Sequence, residues 1–326
     1  MSSKKLMKAR ILLLGPALFL GLSACSGDGG DPAPGAEGRA SSEVAGEGAA
    51  GSPPLLVYAV NYPLAWFADQ IGGADVEVRL PVPKDEDPAY WNPSPEEISE
   101  IQRADLILLN GAGYAGWTDR AALPPSRLVN TTREVADRYI RSEETVTHAH
   151  GPEGEHEHGT LSFTTWLDPT LAIAQARAIR DGLSRERPAD SAAFDSAFSK
   201  LQAELLALDS ALERAARSLD GTPILGSHPV YQYLAARYDL DLRSVHFEPD
   251  EMPDAAGWRA LERLQSERAS TLMLWEAEPL PEVRRRLERE YGIRTVVFSP
   301  CANAPDVDDY MHIMRQNAQR LSAIAE

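Results

Sequence analysis

The most distinctive chemical feature of this sequence is a cluster of histidines. Seven histidines occur in the chain, and four of them fall within the segment THAHGPEGEHEHG: His148, His150, His156 and His158. Three glutamates lie in the same segment, at 153, 155 and 157. Imidazole is the commonest side-chain ligand for divalent transition metals, and it is largely neutral above pH ~6.5. The pattern therefore predicts contact with a metal ion such as Zn²⁺.

The backbone of this histidine segment, residues 147–159, is predicted to be a solvent-exposed loop. It contains three glycines, a proline and no apolar side chain larger than alanine. Such a chain loses much conformational entropy when it closes around an ion. We therefore expect metal contact from the loop, without rigid high-affinity coordination.

Strands and helices alternate on both sides of this loop. The first series has strands at 55–60, 76–82 and 106–109, with helices at 64–71 and 95–103. The second has strands at 223–225, 242–246, 271–275 and 295–298, with helices at 230–238, 255–266, 282–291 and 307–325. This alternation is typical of parallel sheets covered by helices, and it predicts two α/β lobes.

A long amphipathic helix is predicted between the two series, over residues 188–219. Its apolar side chains recur at three- and four-residue spacing: Phe194, Phe198, Leu201, Leu205, Leu208, Leu212 and Leu219. At ~1.5 Å per residue this helix is more than about 40 Å long, which suits a rigid strut between two lobes. The alternative is a helix that packs along one lobe alone.

The N-terminus has the features of an export signal. Four basic residues, Lys4, Lys5, Lys8 and Arg10, precede an apolar run at 11–22, which is too short to span a bilayer. The ending Leu22-Ser23-Ala24-Cys25 resembles the lipobox of bacterial lipoproteins, in which the cysteine becomes the lipidated first residue. The predicted organisation is a signal peptide at 1–24, lipidated Cys25 with a flexible linker to 52, lobes at 53–187 and 220–326, and the connecting helix at 188–219.

The net charge of the chain limits the kinds of molecule that it can bind. The 326-residue chain has a formal charge of −17, which becomes −21 once the four basic residues of the signal are removed. Nucleic acid is excluded because phosphate binding needs a basic surface, whereas cations suit an acidic one. If lipid occupies Cys25, only Cys301 remains, so no intramolecular disulfide is expected.

Several segments together resemble the zinc/manganese solute-binding proteins of ABC importers, the TroA-like or cluster A-I family. In chain order they are VNYPLAWFADQIGG, VPKDEDPAYWNPSPEEISEIQRADLILLNGAGYAGW, the histidine loop, TTWLDP, the long helix, GSHPVYQYLAARYDL and YMHIMRQN. The resemblance implies two α/β lobes joined by one rigid helix, with one metal ion bound in the cleft between them. It also implies a monomeric exported lipoprotein in the periplasm or at the cell surface. Such a protein touches the membrane only through its lipid and delivers the ion to an ABC permease.

Three of the four ligands that this resemblance implies are replaced here. Histidine is expected at the positions of Ala89 and Thr164, and a carboxylate at the position of Ser299. The remaining ligand, His228 in Gly-Ser-His-Pro, is present. Alanine and neutral hydroxyl side chains are not usual zinc ligands, so the ordinary site cannot form.

We therefore expect a different ligand set, and two other hypotheses remain open. The substitute ligands are His228 with Glu276 or Glu278, Cys301, and imidazoles from the loop, with Zn²⁺ as the expected ion and Mn²⁺ second. Cys301 is alternatively a small buried apolar residue. A non-metal solute bound among Tyr90, Trp91 and Trp166 is the second hypothesis, and a zinc-buffering or adhesin-type scaffold is the third.

Two histidines remain, together with the question of whether the sequence indicates an enzyme. His246 and His312 are interpreted as structural, with His246 the more open case. No Ser-His-Asp arrangement, P-loop, dinucleotide fingerprint or HExxH helix can be assembled from the sequence. We therefore expect a binding protein rather than an enzyme.

Overall fold

The computed structural model describes residues 52–141, 147–149, 155–157 and 161–324. The predicted signal peptide, Cys25 and most of the linker lie outside these residues. Across the described ranges, no helix combines the length and apolar character needed to cross a bilayer.

The first lobe is built on a four-stranded parallel sheet with the order β2-β1-β3-β4. Its strands and helices are β1 Leu55–Ala59, α1 Tyr62–Gly72, β2 Val76–Arg79, α2 Pro95–Ile101, β3 Leu106–Leu109 and β4 Leu128–Asn130. β1 and β3 are almost continuously buried, as expected for central strands covered on both faces. The three predicted strands are confirmed, whereas the three-residue strand β4 is not in the prediction.

The second lobe repeats this arrangement in another four-stranded parallel sheet. Its strand order is β10-β9-β7-β8. The elements are β7 Ile224–Gly226, α5 Gln232–Tyr238, β8 Leu242–Ser244, α6 Ala255–Glu267, β9 Leu272–Trp275, α7 Pro281–Arg286, β10 Arg294–Val297 and α8 Tyr310–Ser322. The predicted α/β fold with two parallel sheets is confirmed.

Both sheets have a topological switch point between their two central strands. The chain winds outward in opposite directions from β1 and β3 in the first sheet, and from β7 and β9 in the second. In open parallel sheets, ligands bind outside the carboxyl ends of the strands that flank such a point. The residues that follow β1, β3, β7 and β9 are therefore the first place to look for a site.

Two long helices lie between the sheets in sequence. α3 spans Pro169–Glu186 and α4 spans Ser191–Arg217, after a short 3₁₀ turn at Pro188–Asp190. Every apolar position that predicted α4 is buried. α4 packs against α1 and α3 and also against α5 and α8, so it contacts elements on both sides of the molecule. α3 is absent from the prediction, although Asp168 caps it by accepting a 2.8 Å hydrogen bond from the Thr170 N–H.

Two predicted helix boundaries are wrong for local reasons. The helix expected at 282–291 is α-helical only to Arg286 and continues as a π turn over Leu287–Tyr291. The last helix begins at Tyr310 rather than at 307. Asp308 has a positive φ of 69°, and the Asp309 carboxylate accepts a 2.8 Å hydrogen bond from the His312 N–H, which fixes the first turn there.

The histidine segment contains regular backbone where the sequence predicted only a loop. β5 Thr147–Ala149 pairs antiparallel with β6 Glu155–Glu157, and His148 is the register partner of His156. A bridge between Arg141 and Leu161 closes the chain on either side of this hairpin. His150 and His158 lie outside the described residues.

The packing of α4 gives a direct test of its role as the central support. Leu205→Ala removes a fully buried side chain and should lower the free energy of unfolding by about 2–5 kcal/mol, because it leaves a cavity. Leu206→Ala is the matched control, since Leu206 is 49% exposed and its loss should change stability by less than about 0.5 kcal/mol. Urea unfolding of the two variants measures the difference. Equal effects would contradict this description of α4.

Candidate metal-binding cleft

The candidate site lies at the carboxyl ends of the two central strands of the second sheet. His228 follows β7, and Glu276 follows β9 directly. The backbone between them is fixed, since the Ser227 N–H donates to the Leu274 carbonyl at 2.8 Å and the Phe247 N–H donates to the Ser227 carbonyl at 2.7 Å. The switch point of this sheet therefore presents an imidazole and a carboxylate side by side.

Gly226 is required where β7 ends. A Cβ atom built on it would lie 2.7 Å from the Ser244 Oγ and 3.1 Å from the His228 carbonyl oxygen. Any larger residue would push the turn that carries His228 away from the neighbouring strand β8. This close approach explains the glycine of the Gly-Ser-His-Pro motif.

His228 stands close to two carboxylates and a second imidazole. Its Nδ1 atom is 3.5 Å from the Glu248 Oε1 and 4.0 Å from the Glu276 Oε1. The His246 ring lies edge-to-face with it, at 5.2 Å between centroids. Atoms bound 2.0–2.1 Å from a tetrahedral ion lie about 3.3 Å from one another, so these spacings are slightly wider than those of an ion-bound shell.

These side chains face a cavity of about 310 Å³ between the lobes. Its walls combine acidic and aromatic groups from both lobes: Glu86, Asp87, Tyr90, Trp91, Phe163, His228, Val230, Glu248 and Glu276. No lysine or arginine is among these described lining residues. The cavity is therefore acidic, and the imidazole of His228 is the basic group among these lining residues.

The loop that carries Asp87 is tied to the second lobe. The Asn303 side-chain amide donates to the Pro83 carbonyl at 2.7 Å and to the Glu86 carbonyl at 2.9 Å. Asp87 is itself held in a turn, because its Oδ1 accepts a 2.9 Å hydrogen bond from the Ala89 N–H. The first lobe therefore contributes a carboxylate to the cleft although it lacks the histidine that the family resemblance implies at 89.

The neighbouring carboxylates help to raise the pKa of Glu276. Burial, followed by the negative charges of Asp87 and Glu248, raises the pKa of Glu276 from 4.5 to about 8. Burial and the same group of carboxylates raise the pKa of Tyr90 as well. A divalent cation among these groups would relieve the repulsion and displace the proton from Glu276.

The described residues hold no ready-made metal site. Among them, no group of three or more His, Cys, Asp and Glu side chains converges closely enough to hold an ion. The donor types nevertheless fit one, because imidazole and carboxylate together suit Zn²⁺ and Mn²⁺. For an ion to bind His228 together with Glu248 and Glu276, the 3.5 and 4.0 Å spacings between them would have to contract.

Two of the ligands predicted from sequence do not line the cavity. Glu278 is exposed and forms an ion pair with Arg284 at 3.0 Å. Cys301 is buried beyond the end of β10 with a positive φ of 56°, and its N–H donates to the Ser299 Oγ at 3.3 Å. Burial, together with the nearby charge of Asp309, raises the pKa of the Cys301 thiol to about 12, so it stays protonated at neutral pH. Neither residue is among those that line the cavity with His228.

The three replaced ligand positions have local structural roles. Ala89 is buried above the Asp87 turn. The Ser299 backbone forms a pair of hydrogen bonds with Asn317, at 3.1 Å through its N–H and 2.7 Å through its carbonyl. The Thr164 hydroxyl donates to the Val230 carbonyl at 2.5 Å. These contacts are compatible with a site that has moved within the cleft rather than vanished.

Three of the residues gathered here, Asp87, Glu248 and His246, are not among the ligands expected from the sequence, where His246 is interpreted as structural. Their common signal is position, since Asp87 follows β2 in chain order, and His246 and Glu248 follow β8. In open parallel sheets, residues that follow the carboxyl ends of strands are where ligands bind, so this position is the signal that could have found them.

Over residues 57–324 the chain matches the family described as ZnuA, "Zinc-uptake complex component A periplasmic". The chain belongs to this family. The resemblance inferred from the motifs is therefore confirmed, and the ZnuA family assignment covers both lobes and the cleft.

Individual relatives are distant. The chain is 25% identical over 277 residues to "Zinc-binding lipoprotein AdcA" of Streptococcus pneumoniae, covering 82% of this chain but only 55% of AdcA. It is also 25% identical to "High-affinity zinc uptake system protein ZnuA" of Bacillus subtilis, covering 82% and 86%. The chain thus spans about half the length of AdcA and most of that of ZnuA.

A solved structure supports the fold of this ZnuA-family member. The metal-dependent lipoprotein YcdH of Bacillus subtilis superposes with a TM-score of 0.70 at 23% identity, covering 82% of this chain and 98% of YcdH. At this identity the likeness shows the two-lobed fold alone.

The raised pKa of Glu276 predicts a pH-dependent effect of neutralising it. Between pH 4.5 and about 8, Glu276 is protonated in the folded state but ionised in the unfolded state. The folded protein therefore loses stability as the pH rises through this range. In metal-free protein, Glu276→Gln should raise the unfolding temperature by about 2–4 °C at pH 8.5. The gain should shrink toward zero near pH 4.5.

Glu278→Gln is the matched control, because Glu278 is exposed and outside the cavity. Thermal unfolding with excess chelator, followed by circular dichroism, measures both variants. The same gain from Glu278→Gln, or a gain from Glu276→Gln that does not change with pH, would contradict the charge crowding in the cleft.

Proposed function

We propose that this protein is the extracytoplasmic receptor of an ABC importer and that its cargo is Zn²⁺. One observation carries the proposal: His228 Nδ1 lies within 4.0 Å of carboxylate oxygens from both Glu248 and Glu276, at the switch point of a parallel sheet. Membership of a zinc-uptake family and the zinc named in its relatives AdcA and ZnuA support the same cargo.

The proposed ligands are His228, Glu248 and Glu276, with Asp87 or His246 completing the shell. Imidazole suits Zn²⁺ and other late first-row transition metals better than Mg²⁺ or Ca²⁺, and the carboxylates add charge that offsets the loss of water around the ion. Mn²⁺ is the second candidate cargo because the set is rich in oxygen. Mg²⁺ and Ca²⁺ are disfavoured because they prefer oxygen ligands alone.

The histidine hairpin is proposed as a second, weaker zinc-binding element. His148 and His156 are opposite each other in register, which is the placement expected of a chelating pair, and His150 and His158 add two imidazoles in the same segment. The zinc-buffering hypothesis corresponds to the case in which this hairpin is the only site.

Attachment to a membrane through lipid on Cys25 completes the proposal. The lipobox-like sequence supports it, as does the description of AdcA as a lipoprotein. An ABC permease is the proposed partner. The proposed organisation has the signal at 1–24, the linker to 52, the lobes at 53–187 and 220–326 and the connecting helix at 188–219, in a monomer.

Calorimetric titration of the purified mature protein with Zn²⁺ tests the cleft. We expect binding with a Kd below micromolar at pH 7.5, weakened about 100-fold or more by His228→Ala because a ligand is lost. His312→Ala is the matched control. The His312 side chain is half exposed on α8 and hydrogen-bonds to Gln316 at 2.7 Å, outside the cavity.

A variant that lacks residues 147–159 separates the two proposed elements. Retained tight binding in this variant, with loss in His228→Ala, is the outcome that the cleft proposal requires. Loss of binding in the deletion variant alone would instead support the zinc-buffering hypothesis. No binding tighter than micromolar in the parent would overturn the receptor proposal itself.

The two cysteines allow a matched test of lipidation. Cys25→Ser should abolish labelling with a radioactive fatty acid and shift the protein from the membrane to the soluble fraction. Cys301→Ser should leave both unchanged, because Cys301 is buried in the fold. Persistent labelling of Cys25→Ser would exclude this residue as the lipid attachment site.

A further inference from the structure

A short segment, Ser162 to Trp166, runs between the two lobes and is held from both sides. The Asn110 side chain of the first lobe donates to the Phe163 carbonyl at 2.9 Å, and the Trp166 Nε1–H donates to the Pro300 carbonyl at 2.8 Å. The Tyr233 hydroxyl of α5 donates to the Ser162 carbonyl at 3.1 Å. The segment therefore has fixed partners in each lobe.

Thr164 links this segment to the turn that carries His228. Its hydroxyl donates to the Val230 carbonyl at 2.5 Å, and the residue is only 4% exposed. Val230 is two residues beyond His228, and its own N–H donates to the His228 carbonyl at 2.9 Å. A hydrogen bond from the first lobe therefore reaches the turn that carries the imidazole.

Asn110 keeps Thr164 in place. It is fully buried after β3, and its Oδ1 accepts hydrogen bonds from the Thr165 hydroxyl at 3.3 Å and from the Gln175 side chain at 3.0 Å. The Asn110 side-chain amide also donates to the carbonyl of Phe163, so Asn110 holds the residues on both sides of Thr164. A buried network of this kind holds its members in one geometry, because each group would lose a hydrogen bond if it moved.

We propose that Thr164 is a positioning residue for zinc binding, which rests on the proposed cleft site. Thr164 stands where the family resemblance implies a histidine ligand, but its hydroxyl is directed to the Val230 carbonyl and it does not line the cavity. A hydrogen bond between the lobes thus takes the place of a bond shared through the metal. This hydrogen bond holds the turn that carries His228 at a fixed distance from Asp87 and from the aromatic side chains of the cavity. That distance is the one that the remaining ligands need in order to bind the ion together.

Substitution of the hydroxyl separates positioning from packing. Thr164→Val keeps the branched shape and removes the donor, which leaves the Val230 carbonyl without this partner. We expect zinc to bind about 10-fold more weakly at pH 7.5, the size of effect typical of residues that orient metal ligands. Thr164→Ser restores the hydroxyl and should bind within about twofold of the parent.

Two controls complete the set of variants. Thr118→Val removes a comparable hydroxyl, which donates to the Ala115 carbonyl at 2.9 Å away from the cavity, and should leave zinc affinity unchanged. Co²⁺ replaces Zn²⁺ as a spectroscopic probe of the mature protein. Its visible absorption should change in intensity and position with Thr164→Val and return with Thr164→Ser, because the imidazole orientation is altered and then recovered.

The outcomes distinguish this inference from the proposed function. If His228→Ala abolishes binding but Thr164→Val binds within twofold of the parent with an unchanged Co²⁺ spectrum, the positioning role is wrong and the receptor proposal stands. If Thr164→Ser fails to restore affinity, packing rather than the hydroxyl matters and the inference is also wrong. If His228→Ala binds as the parent does, the cleft proposal itself fails. Should Thr164→Val not fold, Thr164→Ala supplies the same comparison without the added methyl group.

Discussion

The cleft is governed by electrostatic repulsion among carboxylates that the fold forces together. Asp87, Glu248 and Glu276 come from three different segments, yet they share one cavity whose described walls contain no lysine or arginine. At neutral pH the folded protein relieves part of this repulsion by keeping a proton on Glu276. A divalent cation relieves the repulsion more completely, because it neutralises two charges and coordinates several oxygen atoms at once.

The two parallel sheets create this constraint. Parallel strands place all their carboxyl ends at one edge, so side chains that follow β7, β8 and β9 meet although they are far apart in sequence. The first lobe repeats the strand order and brings the Asp87 loop to the opposite wall, where Asn303 ties it to the second lobe. The long helix α4 and its neighbour α3 support the two halves with a continuous buried stripe. The site is therefore a property of the paired lobes rather than of either sheet.

Contacts between the lobes also change how the missing family ligands are interpreted. Judged from the sequence, Ala89, Thr164 and Ser299 remove three ligands and leave His228 isolated. In the fold, the Thr164 hydroxyl reaches the turn that carries His228, and Ser299 is hydrogen-bonded through its backbone to Asn317. The lost ligands left behind a cleft that is still acidic and still contains imidazole. Glu248, which follows β8, and Asp87 both place carboxylate groups in the cavity that His228 lines.

Local sequence patterns determined much of this protein: the alternating apolar runs that became the two sheets, the buried stripe of α4, and the position of His228 and Glu276 after strands of the second lobe. These depend on periodicity and on motifs that short stretches of chain carry by themselves. The tertiary structure alone decided that His246, Glu248 and Asp87 join His228, whereas Glu278 turns to solvent and Cys301 is buried as a protonated thiol. It also decided the ends of α7 and α8 and the hairpin in the histidine segment. The physical reason is that strand order, loop direction and burial set which side chains meet, and none of these is encoded in the spacing of residues along the chain.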